Sequence, residues 1–243
     1  MLTKNLLLVV CLFVAGSYAQ SKVPVNVYYE ALCPDSAKFI NQQLYPAVQQ
    51  FRNNIDLKFI PFGKSSYRTQ GADTTFECHH GPNECYGNKV HACGLYHIQG
   101  NSYQPNNTRE ALILEYVNCL MERAQFKEGE FPGKVCAEMH EIHNWDIIER
   151  CANSTEGSTL LKNYGDETAK LQQPLKSVPT VAFRQTFDAD NQQLAVQNFR
   201  AALCKNLKPS PVECRNIPGS APMGAPFGLV TLLSVILARM FHY

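Results

Sequence analysis

Residues 23–39, VPVNVYYEALCPDSAKF, constrain the fold of this chain more than any other stretch. They begin with a β-branched and aromatic run, which favours a strand, and continue into a segment that can form a helix with Pro34 in its first turn. Cys33 therefore lies where a strand ends and a helix begins. Unpaired N–H groups and the positive end of the helix dipole favour a thiolate there. Cys33 is thus a candidate nucleophile for thiol–disulfide chemistry, with a structural half-cystine as the alternative.

The N-terminus has the pattern of a secretory signal peptide. Lys4 supplies the positive charge, residues 6–14 are apolar, and Ser17-Tyr18-Ala19 provides small residues at a cleavage site. The pattern predicts a leader over residues 1–19 and a mature start near Gln20. Two sequons, at Asn106 and Asn153, support this route and are candidate N-glycosylation sites.

Secretion changes the meaning of the cysteines. The chain has 10, and Cys11 leaves with the leader, so an odd number remains. An odd cysteine in an oxidising compartment is either a free reactive thiol or is paired between chains. We expect Cys33 to be that cysteine and the other eight to form four disulfides of undetermined pairing: Cys78, Cys85, Cys93, Cys119, Cys136, Cys151, Cys204 and Cys214.

The order of elements predicts a thioredoxin-like α/β fold. A strand, a helix over residues 36–52 that Pro46 kinks or breaks, and a strand over residues 55–62 make a βαβ unit with a parallel crossover. A strand signal returns at residue 177, a short antiparallel strand is expected at residues 192–194, and a helix follows. Together these elements give a four-stranded sheet with flanking helices.

A long disulfide-rich helical insertion separates the two halves of this core. The core takes residues 23–62 and 177–204, the insertion residues 63–176, and the whole domain residues 20–216. Within the insertion we expect a cysteine-stapled loop region up to residue 92, and Trp145 in a small core of its own. Apolar periodicity predicts helices at three places in it, residues 109–126, 135–140 and 159–171.

The C-terminal segment, residues 217–243, has two interpretations. A Pro-, Gly- and Ala-rich linker precedes an apolar run over residues 227–238, which is too short to span a bilayer. Gly219-Ser220-Ala221 ahead of this run resembles a lipid-anchor signal. A plain tail or a marginal membrane segment is the alternative.

The chemistry at Cys33 lacks one expected partner. A dithiol reductase needs a resolving cysteine three positions after the attacking one, and this chain has Ser36 there. Cys33 can still form a mixed disulfide, which an external thiol would have to resolve. The Ser36 hydroxyl is expected to donate to the thiolate or cap the helix, whereas the Asp35 carboxylate opposes the thiolate.

Pro179 is the second candidate site residue. In a thioredoxin-like fold a cis proline before a strand faces the cysteine loop and presents backbone to an extended peptide. The alternative is a trans proline at the start of the strand.

We predict that the chain binds no metal and no nucleic acid. Three histidines, His79, His80 and His91, lie near three cysteines, but the spacing C-x6-C-x7-C differs from the usual zinc spacings, and secretion favours disulfides. The net charge of +1 suggests no nucleic-acid partner.

Residues 78–93, CHHGPNECYGNKVHAC, resemble the signature C-Q-H-G-x2-E-C-x2-N-x4-C of the gamma-interferon-inducible lysosomal thiol reductases. Every fixed position matches except His79, where the family has Gln. The resemblance covers about residues 23–214 and implies a thioredoxin-like fold and reduction of protein disulfides. It places the family's nucleophile on Cys33 and its resolving cysteine on Ser36, a departure that bears on full dithiol reductase activity. The signature cysteines themselves are expected to be bridged rather than catalytic.

Two functions follow as hypotheses. The first is a thiol–disulfide oxidoreductase that acts on disulfide-bonded protein substrates through Cys33, with an external thiol such as glutathione or cysteine and no bound cofactor. The second is a non-catalytic secreted protein that grips thiols or peptides, in defence or at a cell surface. The expected location is the secretory pathway, either secreted or endosomal and lysosomal, with lipid anchoring at the cell surface as the alternative for the tail.

Overall fold

The computed structural model describes residues 22–71, 73–100, 107–123 and 131–215. The predicted signal peptide, the sequon asparagine Asn106 and the C-terminal tail lie outside these residues. The elements are, in chain order, β1 Val23–Tyr29, α1 Pro34–Phe39, a π-helical turn Ile40–Leu44, α2 Tyr45–Gln50, β2 Ile55–Pro61, β3 Ser66–Gln70, β4 Asp73–Glu77, α3 Pro82–His97, α4 Arg109–Arg123, α5 Gly133–Met139, α6 Trp145–Ala152, α7 Thr155–Leu171, β5 Thr180–Phe183, α8 Ala189–Gln197, α9 Phe199–Asn206 and a 3-10 turn Val212–Cys214.

The central sheet has the strand order β2-β1-β5. Strand β1 pairs in parallel with β2, from Val23 opposite Ile55 onward, and antiparallel with β5, where Val25 faces Phe183. Because β1 lies in the middle of the sheet, six of its seven residues are buried. The βαβ unit and the returning antiparallel strand confirm the predicted thioredoxin-like architecture.

The predicted fourth strand at residues 192–194 is wrong. These residues lie in α8, which begins after Asp188, whose side chain accepts a hydrogen bond from the backbone N–H of Asn191 at 2.7 Å. An N-cap aspartate of this kind satisfies one orphan donor and starts a helix, so local capping outweighed the weak strand signal. Within the described residues the central sheet therefore has three strands, and β3 and β4 form a separate hairpin.

The helix after Cys33 is interrupted as Pro46 predicts. Helices α1 and α2 are separated by the π-helical turn at residues 40–44, and Pro46 occupies the first turn of α2. A proline there lacks the N–H that would bond back into the preceding turn, so the register shifts locally instead of ending the helix.

The segment expected to be a stapled loop contains regular structure. It forms the β3–β4 hairpin and most of α3, which starts at Pro82 after the positive-φ Gly81. Helices α4, α5 and α7 match the three predicted ones to within a few residues, and α7 begins earlier because Ser154 caps it through the N–H of Glu156. In the described residues no helix has the length and apolar character needed to cross a membrane.

Four disulfides staple the chain, and they pair Cys78 with Cys85, Cys93 with Cys151, Cys119 with Cys136, and Cys204 with Cys214. The second joins α3 to α6 and the third joins α4 to α5, so the insertion is cross-linked within itself. At about 3 kcal/mol each, such cross-links are comparable to the net stability of a domain.

One hydrophobic core runs through the sheet and the insertion. Trp145, expected in a small core of its own, belongs to the same buried cluster as Val25 and Phe199. It packs against Gly133 so closely that a Cβ there would lie 2.2 Å from the indole ring. The insertion is thus a continuous part of the packing that supports the central strand.

Candidate active site at Cys33

Cys33 is the free cysteine of the described residues and lies at the N-cap of α1. Its backbone is extended, with φ −76° and ψ 121°, and the backbone N–H of Ser36 donates to its Sγ over 3.5 Å. Its carbonyl accepts from the N–H of Ala37, which begins the helix. Cys33 is 6% exposed, so little of the residue is accessible to solvent. A thiolate at this atom would receive the N–H donor that opens the helix.

Ser36 does not act through its hydroxyl as the sequence suggested. The residue is fully buried, and its Oγ has no hydrogen-bond partner. The expected bond from the hydroxyl to Cys33 is therefore wrong, because the backbone N–H of the same residue occupies that role. Position 36 contributes its amide to the thiol, and its side chain points into packed space.

Pro179 faces the first turns of α1 across a groove. The Val178–Pro179 peptide bond is cis. The groove has a volume of about 380 Å³ and is lined on one side by Asp35, Lys38 and Phe39 and on the other by the loop at residues 177–179. The structure thus places the predicted proline opposite the helix that Cys33 caps. Its role toward a substrate stays a prediction.

Gln192 holds the proline loop, and sequence reasoning missed it. Its Nε2 donates to the carbonyl of Pro179 at 2.8 Å, and its Oε1 accepts from the N–H of Val181 at 2.7 Å. One side chain thereby satisfies two backbone groups at the outer edge of β5, as an adjacent strand would. The side-chain amide of Gln192 in α8 thus makes hydrogen bonds that the predicted fourth strand would have made.

The signature helix α3 supports the loop that leads to Cys33. The Oδ1 of Asn88 accepts from the N–H of Ala31 at 2.9 Å, and Oε2 of Glu84 accepts from the N–H of Leu32 at 3.3 Å. Both side chains are fully buried. The fixed Glu and Asn of the signature therefore position the backbone immediately before the thiol.

A second polar group lies beside this loop, centred on Glu30. The carboxylate is buried and accepts from the N–H of Lys64 at 2.7 Å, and it also faces His79 and His80. Burial raises the pKa of the Glu30 carboxyl, partly offset by the hydrogen bond from Lys64. Gly63 packs against this side chain with φ +58°, and a Cβ there would lie 2.2 Å from Cγ of Glu30.

His91 takes no part in a zinc site with the neighbouring cysteines. Those cysteines are in disulfides, and His91 is fully buried, with Nδ1 2.8 Å from the hydroxyl of Tyr29. Burial lowers the pKa of His91 to about 3, so the imidazole is neutral in the folded protein across the physiological range.

The sequon at Asn153 is accessible. Asn153 lies at the end of α6 and is exposed, and its Nδ2 donates to the carbonyl of Glu149 at 3.0 Å. An exposed helix end is a position where a glycan meets solvent. Glycosylation at Asn153 and at Asn106 stays a prediction.

Comparisons with known proteins relate this sequence to one family. The profile of the gamma interferon inducible lysosomal thiol reductase family matches residues 24–140. A gamma-interferon-inducible lysosomal thiol reductase-like protein of Anopheles gambiae is 59% identical over 241 residues, covering 99% of this chain and all of that protein. GILT-like protein 1 of Drosophila melanogaster is 48% identical over 242 residues, covering 97% and 96% of the two chains.

Among solved structures, oxidised BdbD from Bacillus subtilis aligns with a TM-score of 0.49 at 12% identity, covering 74% of this chain and 87% of that one. The thioredoxin-like assignment made above rests on the strand order and the antiparallel return of β5. The full-length identity to the two insect proteins, together with the profile match across the Cys33 loop and the signature, shows that this chain belongs to the gamma interferon inducible lysosomal thiol reductase family.

Proposed function

We propose that this protein is a thiol–disulfide oxidoreductase that works through Cys33 alone. The observation that carries the proposal is the free thiol of Cys33 at the start of α1, with a serine three positions later. A thiolate there can attack a disulfide, and no second thiol of the same turn can expel the product.

The reaction balances with two equivalents of an external thiol. The Cys33 thiolate attacks one sulfur of a substrate disulfide, forms a mixed disulfide and releases the other sulfur as a thiolate, which takes a proton from solvent. One external thiol, such as glutathione or cysteine, then displaces the substrate from Cys33, and a second reduces the remaining adduct. The net result is a reduced substrate and one molecule of oxidised external thiol.

The groove favours extended substrates. Cys33 is only 6% exposed, and the groove between α1 and the Pro179 loop is lined by both charged and apolar side chains. An extended segment of a disulfide-bonded protein fits such a groove better than a folded surface, because backbone groups and single side chains enter it one at a time. We therefore propose partly unfolded proteins as substrates.

The secretory pathway is the proposed location, with an endosome, a lysosome or the extracellular space as the destination. Four disulfides and the predicted leader support an oxidising route. Attachment through a lipid at Gly219-Ser220-Ala221 is a further proposal about the tail. An anchor-specific phospholipase would release an anchored protein from cells, whereas an intact C-terminus at Tyr243 in the mature protein contradicts anchoring.

A non-catalytic thiol-binding protein is the second candidate, and the serine at position 36 favours it. Turnover distinguishes the two. Purified mature protein is given a protein disulfide with and without glutathione, at acidic and neutral pH, beside a Cys33→Ser variant. The proposal expects several substrate molecules reduced per chain with glutathione and none by the variant. Accumulation of a stable one-to-one adduct that glutathione does not turn over would overturn it in favour of binding.

A further inference from the structure

Two fully buried carboxylates lie beside the active-site loop. Glu30 follows strand β1 and Glu84 lies in the first turn of α3, and both are 0% exposed. Buried carboxylates are costly unless a cation or a proton compensates them. Within the described part of the chain, the ion pairs of these two residues are formed with imidazoles and not with Lys or Arg.

Two imidazoles converge on the same point. Nδ1 of His79 is 3.4 Å from Oε2 of Glu30, and Nδ1 of His80 is 3.5 Å from the same oxygen. One ligand atom from each of Glu30, His79 and His80 lies within 4.8 Å of the other two. Nδ1 of His80 is also 2.6 Å from Oε2 of Glu84. The turn that carries both histidines is fixed by the Cys78–Cys85 disulfide, so these donors are held together by the backbone.

The two separations between Glu30 and the imidazoles match those between ligand atoms around a tetrahedral ion. Zinc bonds of about 2.0–2.1 Å place neighbouring ligand atoms about 3.3–3.4 Å apart. The Glu30–His79 and Glu30–His80 separations agree with this to within about 0.2 Å. Imidazole and carboxylate form a donor set that suits zinc.

We propose, against the expectation from the sequence, that Glu30, His79 and His80 bind a divalent zinc-like ion, with its fourth position left to solvent. Binding replaces the Nδ1 protons, which leave to solvent. The second oxygen of Glu30 is held by the N–H of Lys64, and that of Glu84 by the N–H of His80, so both carboxylates are oriented.

The site depends on the residue at which this chain departs from the family signature. His79 stands where the signature has Gln, and a Gln would leave a single imidazole. The His79 side chain is 50% exposed, which gives an ion a path from solvent. An ion here would tie the end of β1 to the turn at residues 78–81, and so stabilise the loop that precedes Cys33.

Zinc chloride added to the full mature protein, with Cys33 alkylated to remove thiol binding, tests the proposal. The variants are His79→Gln, which restores the signature residue, and His143→Gln as a control, because His143 is exposed and belongs to neither group of candidate metal ligands in the described residues. We expect one zinc per chain in the wild type and in the control. We expect affinity at least about tenfold weaker in His79→Gln.

Two further readouts make the test independent of activity. The melting temperature should rise with zinc in the wild type and the control and not in His79→Gln. X-ray absorption of the zinc-loaded protein should show nitrogen and oxygen ligands and no sulfur. Equal zinc affinity in His79→Gln and wild type, no saturable binding by the wild type, or sulfur in the first coordination shell would overturn the proposal.

Discussion

The backbone N–H of Ser36 donates to Sγ of Cys33 over 3.5 Å, while the hydroxyl of the same serine contacts no hydrogen-bonding group. The thiol is therefore supported by the main chain of the first helical turn, and the support survives any side chain that fits at position 36. A residue at position 36 can have two functions, to hold the Cys33 thiol and to resolve its mixed disulfide. Here the backbone of Ser36 has the first function, and its side chain cannot have the second.

Ser36→Ala should leave the reactivity of Cys33 unchanged within about twofold, because the donating N–H remains. Removal of a buried hydroxyl without a partner should leave the free energy of unfolding unchanged or raise it by up to about 1 kcal/mol. Alkylation rates and urea unfolding measure the two effects. Ser65→Ala is the matched control, since its Oγ is also buried without a partner. A large loss of alkylation rate in Ser36→Ala alone would restore a role for the hydroxyl.

Ser36→Cys should allow the protein to release its substrate without external thiol. A thiol at residue 36 can attack the mixed disulfide at Cys33 and close an internal bridge. The test is a single-turnover assay without glutathione, in which the variant should release reduced substrate and the wild type should retain it. Ser158→Cys, which adds a thiol in α7, serves as the control and should behave as the wild type. If Ser36→Cys retained the substrate as the wild type does, residues 33–36 would not be the active-site turn.

His91 should make folding stability fall in acid. Its pKa is about 3 in the folded protein and has the ordinary value near 6.5 when unfolded, so the unfolded chain takes up a proton that the folded chain does not. The stability from this group is complete above about pH 6.5 and is lost progressively toward pH 3. At pH 4.5 the loss is about 2–3 kcal/mol.

Urea unfolding between pH 6.5 and 4.5 measures this loss. The slope of the unfolding free energy against pH reports how many protons the chain takes up on unfolding. His91→Gln should lower this number by about one, whatever its effect on the stability at pH 7. His143→Gln, at an exposed position, serves as the control for loss of a histidine. Identical slopes in wild type and His91→Gln would show that His91 is not the group responsible.

Gln192→Leu should destabilise the Pro179 loop. The substitution removes the partners of the Pro179 carbonyl and the Val181 N–H, which should cost about 1–3 kcal/mol in the free energy of unfolding. Disulfide reduction should slow as well, because the loop lines the groove beside α1. The neighbouring Gln193 is exposed, and Gln193→Leu should change neither quantity. Equal effects of the two substitutions would remove the special role of Gln192.

The sequence predicted the core of the fold because its strands follow simple side-chain patterns. The β-branched run before Cys33 and the apolar run of β2 are typical of buried strands, and their order requires a crossover helix. The pattern failed at α3, whose buried stripe includes Glu84, Asn88 and His91 at helical spacing. Periodicity detects apolar residues, so a helix that buries polar groups looks like a loop.

Only the site residues that are close together in the sequence could be predicted. Cys33 and Ser36 belong to one turn, so the C-x-x-S pattern reveals them. Glu30 and Gln192 act through partners far along the chain, Lys64 and Pro179, and no pattern in the sequence relates them. Their roles come from tertiary contacts, which is also why the Glu30 carboxylate beside His79 and His80 was not anticipated.

The most direct test of the account is the mass of the intermediate that forms when the wild-type protein meets a protein disulfide without external thiol. Acid quenching and peptide mapping locate the linkage. The account predicts one substrate molecule per chain, joined through Cys33, which disappears when glutathione is added and reduced substrate appears. An adduct on any other cysteine, or substrate reduction by Cys33→Ser, would contradict it.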